Sequence, residues 1–211
     1  MDAYDKISAT TADFDTTERL AGFLHKSGSG DTTIALCVAG NFHSRDLHPP
    51  GLVLNSSQMT REEQLANLAL TLPAPPLPGG NYLSAKRVGE IVYLAGVIST
   101  NSAGVMTGTV GLDRSVGDGY NAARACALTQ LAVLKRELGS LEAVAEVVSL
   151  NGYVNSVSGF EESPAVINGA SDLLVAVFGD AGKHVRAAVG VNALPRNAIV
   201  EIQMSVRIEL P

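Results

Sequence analysis

Residues 59–211 are predicted to form an α+β domain, with two long helices packed on one face of a mixed, mostly antiparallel sheet in the order β-β-α-β-α-β-β. Three observations carry that prediction. Val200, Ile202, Met204, Val206, Ile208 and Leu210 are apolar, while Glu201, Gln203, Ser205, Arg207 and Glu209 between them are polar. Strict alternation of this kind means a strand with one face on a core. Two stretches, 115–139 and 163–179, carry apolar residues at steps of three and four between start and stop signals, so each makes a helix with one buried stripe. With one stripe apiece, the helices cover only one face of the sheet. The uncovered face predicts oligomerisation through the sheet.

The elements follow in order. Residues 17–24 read as a short helix with Leu20, Phe23 and Leu24 on one face, Ser27-Gly28-Ser29-Gly30 breaks it, and residues 32–38 read as a strand. Residues 41–58 show no clear period. Residues 1–58 are therefore an N-terminal extension of open order and role: an accessory segment, or a piece upstream of the true start, since Met59-Thr60-Arg61-Glu62-Glu63 resembles a fresh beginning. Thr60 and Glu63 form a capping box for a helix through Leu68. The Pro/Gly-rich stretch 71–82 runs extended. Residues 83–88 and 90–98 make a hairpin about Gly89, and 99–111 is a loop. Ser115, with Asp118 three residues on, caps a helix whose stripe is Val116, Tyr120, Ala123, Ala127, Leu131, Leu134 and Leu138, ended by Gly139. Residues 145–154 are a strand with Val148, Leu150 and Val154 on one face. Ser163 caps the next helix with Pro164 at its first position; Ile167, Ala170, Leu174 and Val177 line its core side and Gly179 stops it. Ala187, Val189 and Val191 alternate weakly before the turn Leu194-Pro195-Arg196-Asn197, so the chain closes on a predicted hairpin.

Composition bounds the function. Of 211 residues, 46% are hydrophobic and 17% charged, and the net charge is −6. A sizeable core is available, and the acidic balance argues against a non-specific nucleic-acid binder. Cys37 and Cys126 have neither metal nor disulfide spacing, which fits a reducing cytosol. No signal-peptide pattern opens the chain, and no apolar stretch approaches the ~20 residues of a membrane span. The expectation is a cytoplasmic protein with no membrane or nucleic-acid partner. No GxSxG, HExxH or Walker motif is present, and the glycine-rich run 108–119 reads as a loop. His25, His43 and His48 lack ligand spacing; neither a metal nor a cofactor is called for. His184 lies two residues before Arg186 and reads as surface, or as a second residue facing a pocket. Arg186 itself is either a fork for a carboxylate or one half of a plain cross-strand ion pair with Glu201. Spacing alone favours the ion pair.

Four blocks bear on that choice: GNYLSAKRVGEIVYLAG at 80–96, GYNAARACALTQLAVLKRELGSLEAVAEVV at 119–148, VNSVSGFEESPAVINGASDLLVAVFG at 154–179 and VRAAVGVNALPRNAIVEI at 185–202. Together they resemble the reactive intermediate deaminase (Rid, YjgF-like) family, in the branch whose second helix carries NGASDLL. The resemblance implies a chorismate-mutase-like subunit, a homotrimer with pockets between subunits, and hydrolysis of small enamine and imine carboxylates to 2-keto acids and ammonia. It implies that Arg186 binds the substrate carboxylate and that Glu201 positions the attacking water. Tyr82 and Asn168 fall on its other pocket positions. Ala188 replaces the family's frequent cysteine, and Ala95 and Val97 replace a serine and a glutamine, which implies a less polar pocket. Two other functions stay open: a non-catalytic trimer that binds a small keto acid, and, against the acidic balance, a ribonuclease.

Overall fold

A computed structural model of the chain describes residues 20–26, 32–38 and 59–209. The chain divides into two compact units after Ser56. In the first, β1 (Leu20–Lys26) and β2 (Thr32–Val38) pair antiparallel, Leu20 opposite Val38 and Lys26 opposite Thr32. Residues 20–24 are thus strand where the apolar spacing predicts helix. Pairing with a β-branched partner, Thr32-Thr33-Ile34, overrides a spacing that only a few residues support. Residues 17–19 and the unpatterned stretch 41–58 lie outside the described residues.

In the second unit α1 (Arg61–Asn67) opens on the predicted capping box: Thr60 Oγ1 accepts from the Glu63 amide at 3.1 Å and Glu63 Oε2 from the Thr60 amide at 2.8 Å. After the extended 71–82 stretch come β3 (Ala85–Val88) and β4 (Ile91–Leu94), joined through Gly89 at φ 60°, then β5 (Val97–Ile98). The predicted loop 99–111 holds a small hairpin, β6 (Thr100–Asn101) with β7 (Gly104–Val105). α2 (Val116–Leu138) starts at Ser115, whose Oγ accepts from the Asp118 amide at 3.1 Å, and ends at Gly139. β8 (Val144–Asn155), α3 (Ser163–Phe178), β9 (Val185–Val191) and β10 (Val200–Ile208) complete the fold.

The main sheet runs β3-β4-β10-β8-β9, with β5 also on β10. All its pairs are antiparallel except β8 with β9. The fold is therefore the predicted α+β class, with one correction at its end. β9 and β10 are not a hairpin, because β8 lies between them. The helix α3 that links β8 to β9 makes them a parallel crossover unit, so β9 takes the sheet edge. Residues 192–199 then carry the chain past β8 to its other side. Arg186 consequently lies opposite Leu150, whereas Glu201 lies opposite Tyr153.

Two smaller corrections have local causes. Val148 is 37% exposed, not in the core with Leu150 and Val154. The register with β10 slips between Ser205 and Val206, so Val148 is the extra residue of a β-bulge. Ser163 does not cap α3: Glu162 holds the N-cap position without a side-chain bond, Ser163 begins the helix, and its buried Oγ has no partner among the described residues. Within Ser163–Gly182 an eighteen-residue stretch reaches mean hydropathy 1.2, which by length and composition alone would suit a membrane span where the sequence predicts none; half of that stretch is buried in this fold, as in a core helix. α3 owes that apolarity to its place against α2 and the sheet, where Val166, Ile167, Ala170, Leu173, Leu174 and Val177 are buried.

The helices cover one sheet face, as the stripes require. Leu150, Val154, Val200, Ile202, Met204 and Val206 point into that core. Strand alternation puts Val185, Ala187, Val189 and Val191 on the opposite face with Tyr153, Glu201 and Gln203. Large apolar side chains stand exposed there, Val185 at 71%, Tyr93 at 53% and Val189 at 45%.

Candidate functional site

Arg186 shares the helix side of the sheet with its neighbour Leu150, and its side chain reaches α3. Nη1 donates to Asn168 Oδ1 at 2.8 Å and to Ser171 Oγ at 3.0 Å, and Nη2 to the Pro164 carbonyl at 3.4 Å. Asn168 and Ser171 stand three residues apart on α3, so they face Arg186 side by side. Among the described residues no Asp or Glu pairs with Arg186. The cross-strand ion pair with Glu201 is not made, because the two side chains leave opposite faces of the sheet. A guanidinium has five N–H donors; three are engaged here, and Nε–H and one Nη2 hydrogen remain. Nε and Nη2 share an edge of the guanidinium plane, the two-donor edge that a carboxylate accepts.

Glu201 and Tyr82 form a second group. Both line a cavity of about 450 Å³ whose walls include Leu77, Val97, Val133 and Arg196. Glu201 also borders a shallower depression on the open face with Tyr153, Gly96 and Gln203. Burial pushes the Glu201 carboxyl above its ordinary value of 4.5. Gly96 makes room for the carboxylate: a Cβ at that position would run into Glu201 Oε1 and lie 3.2 Å from its Cδ, so it would displace the carboxylate from its present position. Gln130 on α2 ties β10 to the link between β4 and β5 behind the carboxylate, donating to the Ala95 carbonyl at 2.9 Å and the Ile202 carbonyl at 2.8 Å. Arg196 reaches the cavity from a turn in which it and Asn197 hold φ of 58° and 57°, a left-handed pair that Asn155 Nδ2 braces by donating to Asn197 Oδ1 at 3.1 Å and the Ala198 carbonyl at 3.2 Å.

Of the four predicted site residues, one chain joins Arg186 to Asn168 and Tyr82 to Glu201, and leaves the two pairs apart. Ser171, Gln130, Gly96 and Arg196 carry the site without having been singled out in the sequence for it. Gln130 had a signal, a buried amide among the apolar positions of α2. Ser171 had none. Ala188 lies on the helix side of β9, two residues after Arg186, and Ala95 and Val97 line the cavity. Cys126 is fully buried, and desolvation first, then the Glu201 charge, pushes its thiol far up, so it is inert packing. No three His, Cys, Asp or Glu among the described residues are placed to share a metal ion.

This architecture has relatives. The family model described as "YjgF/chorismate mutase-like, putative endoribonuclease" matches residues 62–207. Protein TCP17 of Trypanosoma cruzi is 42% identical over 146 residues, 68% of this chain and 91% of TCP17. A 2-iminobutanoate/2-iminopropanoate deaminase of Dermatophagoides farinae is 29% identical over 142 residues, covering 66% of this chain and 95% of the deaminase. A protein of unknown function from Agrobacterium tumefaciens superposes with a TM-score of 0.66 at 41% identity, covering 72% of this chain and 94% of its own. A "putative endoribonuclease" from Shewanella oneidensis superposes with a TM-score of 0.68 at 30% identity, covering 71% and 99%. With the family model spanning most of the second unit, the chain belongs to the YjgF/chorismate-mutase-like family.

Proposed function

We propose that the protein hydrolyses small imine or enamine carboxylates to 2-keto acids and ammonia, in pockets completed between subunits of a homotrimer. The observation that carries this reading is the Arg186 fork, tied to α3 by three hydrogen bonds with Nε–H and one Nη2 hydrogen left over. Their shared edge anchors the substrate carboxylate and so orients the adjacent C=N carbon. Glu201 holds a water against that carbon, takes one of its protons as the C–O bond forms and passes it to the nitrogen, giving a carbinolamine. It then takes the carbinolamine hydroxyl proton and passes it to the nitrogen as the C–N bond breaks, so that ammonia leaves a carbonyl. An imine is already electrophilic, so positioning supplies much of a modest acceleration. The Dermatophagoides deaminase supports the reaction class.

The division of the site supports a pocket shared between subunits, as the proposed trimer requires. Arg186 and Glu201 leave opposite faces of one sheet, so one chain cannot close a pocket around both. The exposed Val185, Val189 and Tyr93 give the open face an apolar surface to bury against a second copy, which would bring one subunit's Arg186 toward another's Glu201 and Tyr82. Sedimentation should give three times the 21.9 kDa chain mass, and a monomer would sink this arrangement. The reaction itself is tested by ammonia release from 2-iminopropanoate made in situ by an amino-acid oxidase. A rate no faster than buffer counts against the enzyme and favours a keto-acid-binding trimer.

Glu201 gives the reaction a pH signature. Because burial raises its pKa above 4.5, the acid limb of kcat/KM should lie above the ordinary glutamate value, and Glu201→Gln should remove that limb along with most of kcat. The stability sign follows from linkage. The raised carboxyl favours the protonated form in the fold, so its ionisation costs stability as pH climbs above the unfolded value and through the folded one. Glu201→Gln, neutral throughout, should melt higher than wild type near pH 7 and equal it near pH 3. A lower melting temperature at pH 7 would contradict the desolvated carboxylate.

A further inference from the structure

Asn168 is not the only support of Arg186. Ser171 Oγ, which accepts from Arg186 Nη1, lies 3.1 Å from His184 Nε2, and His184 Nδ1 lies 2.7 Å from the Gly182 carbonyl oxygen. A carbonyl oxygen only accepts, so Nδ1 carries a hydrogen and donates it. In the neutral ring Nε2 is then an acceptor, and the hydrogen that fills it is the Ser171 hydroxyl's. With that hydrogen committed, Ser171 turns a lone pair to the guanidinium. The bonds thus run in one direction, from Arg186 to Ser171 to His184 to the Gly182 carbonyl. The last link is backbone rather than another mobile side chain. Gly182 is itself pressed against α3: a Cβ there would lie 2.8 Å from the Val175 Cα.

From this we infer that Ser171 and His184 are positioning residues for the carboxylate clamp, fixing Arg186 in its receptive rotamer before substrate arrives. The inference rests on the reading of Arg186 as that clamp. An arginine on an exposed sheet edge has many rotamers to lose on binding, and a partner that orders it beforehand removes that cost from the binding step. Ser171 performs this only while its own hydrogen is held elsewhere. Without His184 its hydroxyl would turn to the carbonyl one helical turn back, as helical serines do, and its lone pairs would no longer be aimed. Asn168 and Ser171 together use both Nη1 hydrogens, so the same relay decides that the Nε and Nη2 edge is the one offered to a ligand.

Calorimetric titration of the full chain with 2-oxobutanoate tests this. Ser171→Ala should weaken Kd about five- to tenfold and Ser171→Thr, which keeps the hydroxyl, less than about twofold. His184→Gln offers an amide oxygen to Ser171 and should stay within about threefold of wild type, while His184→Asn keeps at most the Gly182 bond and should fall with Ser171→Ala. A merely structural role for His184 would not separate Gln from Asn in this way. If Arg186→Ala abolishes binding but Ser171→Ala leaves Kd unchanged, the positioning role is overturned and the clamp stands. If Arg186→Ala binds like wild type, or wild type does not bind, the clamp falls and this inference with it. Should Ser171→Ala melt well below wild type, Ser171→Thr decides: retained affinity supports the relay, and lost affinity overturns it.

Discussion

Arg186→Ala should lower kcat/KM for 2-iminopropanoate by about ten- to a hundredfold, because a charge-assisted pair contributes roughly 1.5–3 kcal/mol and about 1.4 kcal/mol is tenfold in rate. Arg186→Lys should recover no more than about tenfold of that loss, since an ammonium keeps the charge but not the planar fork. It also cannot donate to Asn168 and Ser171 while presenting a two-donor edge. The split between constants is informative: loss of anchoring alone raises KM, whereas loss of orientation at the C=N carbon lowers kcat as well. Stability should hardly change, because Arg186 lies exposed on an edge strand and its bonds are to exposed or half-buried partners on α3. A coupled assay of keto-acid formation measures both constants, and an Arg186→Ala enzyme within twofold of wild type would end the clamp reading.

What the sequence disclosed was what local chemistry determines. The capping boxes at Thr60 and Ser115, the turn at Gly89, the helix stop at Gly139 and the alternation of β10 all depend on residues within one or two turns, and all are found. The strand partner of β9 was not legible, because pairing to β8 instead of β10 is settled by the α3 crossover and leaves no trace in the residues of β9. Its weak alternation fits an edge strand equally well on either neighbour. The site divides in the same way. Arg186 and Glu201 stand out by residue type, spacing alone favours a plain ion pair between them, and only the family resemblance puts them in one site; their opposite faces follow from register alone. Ser171 gains its role only when β9 docks beside α3 and brings His184 and Arg186 to it. Gly169 did give a signal, since a glycine within a helix costs about 1 kcal/mol against alanine and asks for a reason.

That reason gives Gly169→Ala a large expected effect on stability. A Cβ at Gly169 would run into the carbonyl oxygen of Tyr120 and lie 2.8 Å from its carbonyl carbon, and these are backbone atoms of α2. Across the same crossing, a Cβ at Gly119 would lie 2.9 Å from Val166. The two helices therefore approach at glycines on both sides, and α2 has no flexible side-chain tip to yield at Tyr120. Overpacking of this kind costs about 1–3 kcal/mol and occasionally more. The rigid obstacle places Gly169→Ala at the upper end, with the gain in helix propensity offsetting only about 1 kcal/mol. At roughly 2–4 °C per kcal/mol for a domain of this size, the net loss of about 2 kcal/mol should lower the melting temperature by about 4–8 °C. Asp172→Ala, which removes only the 2.9 Å bond from the exposed Tyr120 hydroxyl, should cost far less. Unchanged stability in Gly169→Ala would mean that the helices lie farther apart than described. The same variant probes the site, because Asn168 adjoins Gly169 and Ser171 follows two residues on. Forcing α3 off α2 shifts both acceptors relative to Arg186, so the folded Gly169→Ala protein should bind 2-oxobutanoate more weakly than wild type, with every group that touches the ligand still in place.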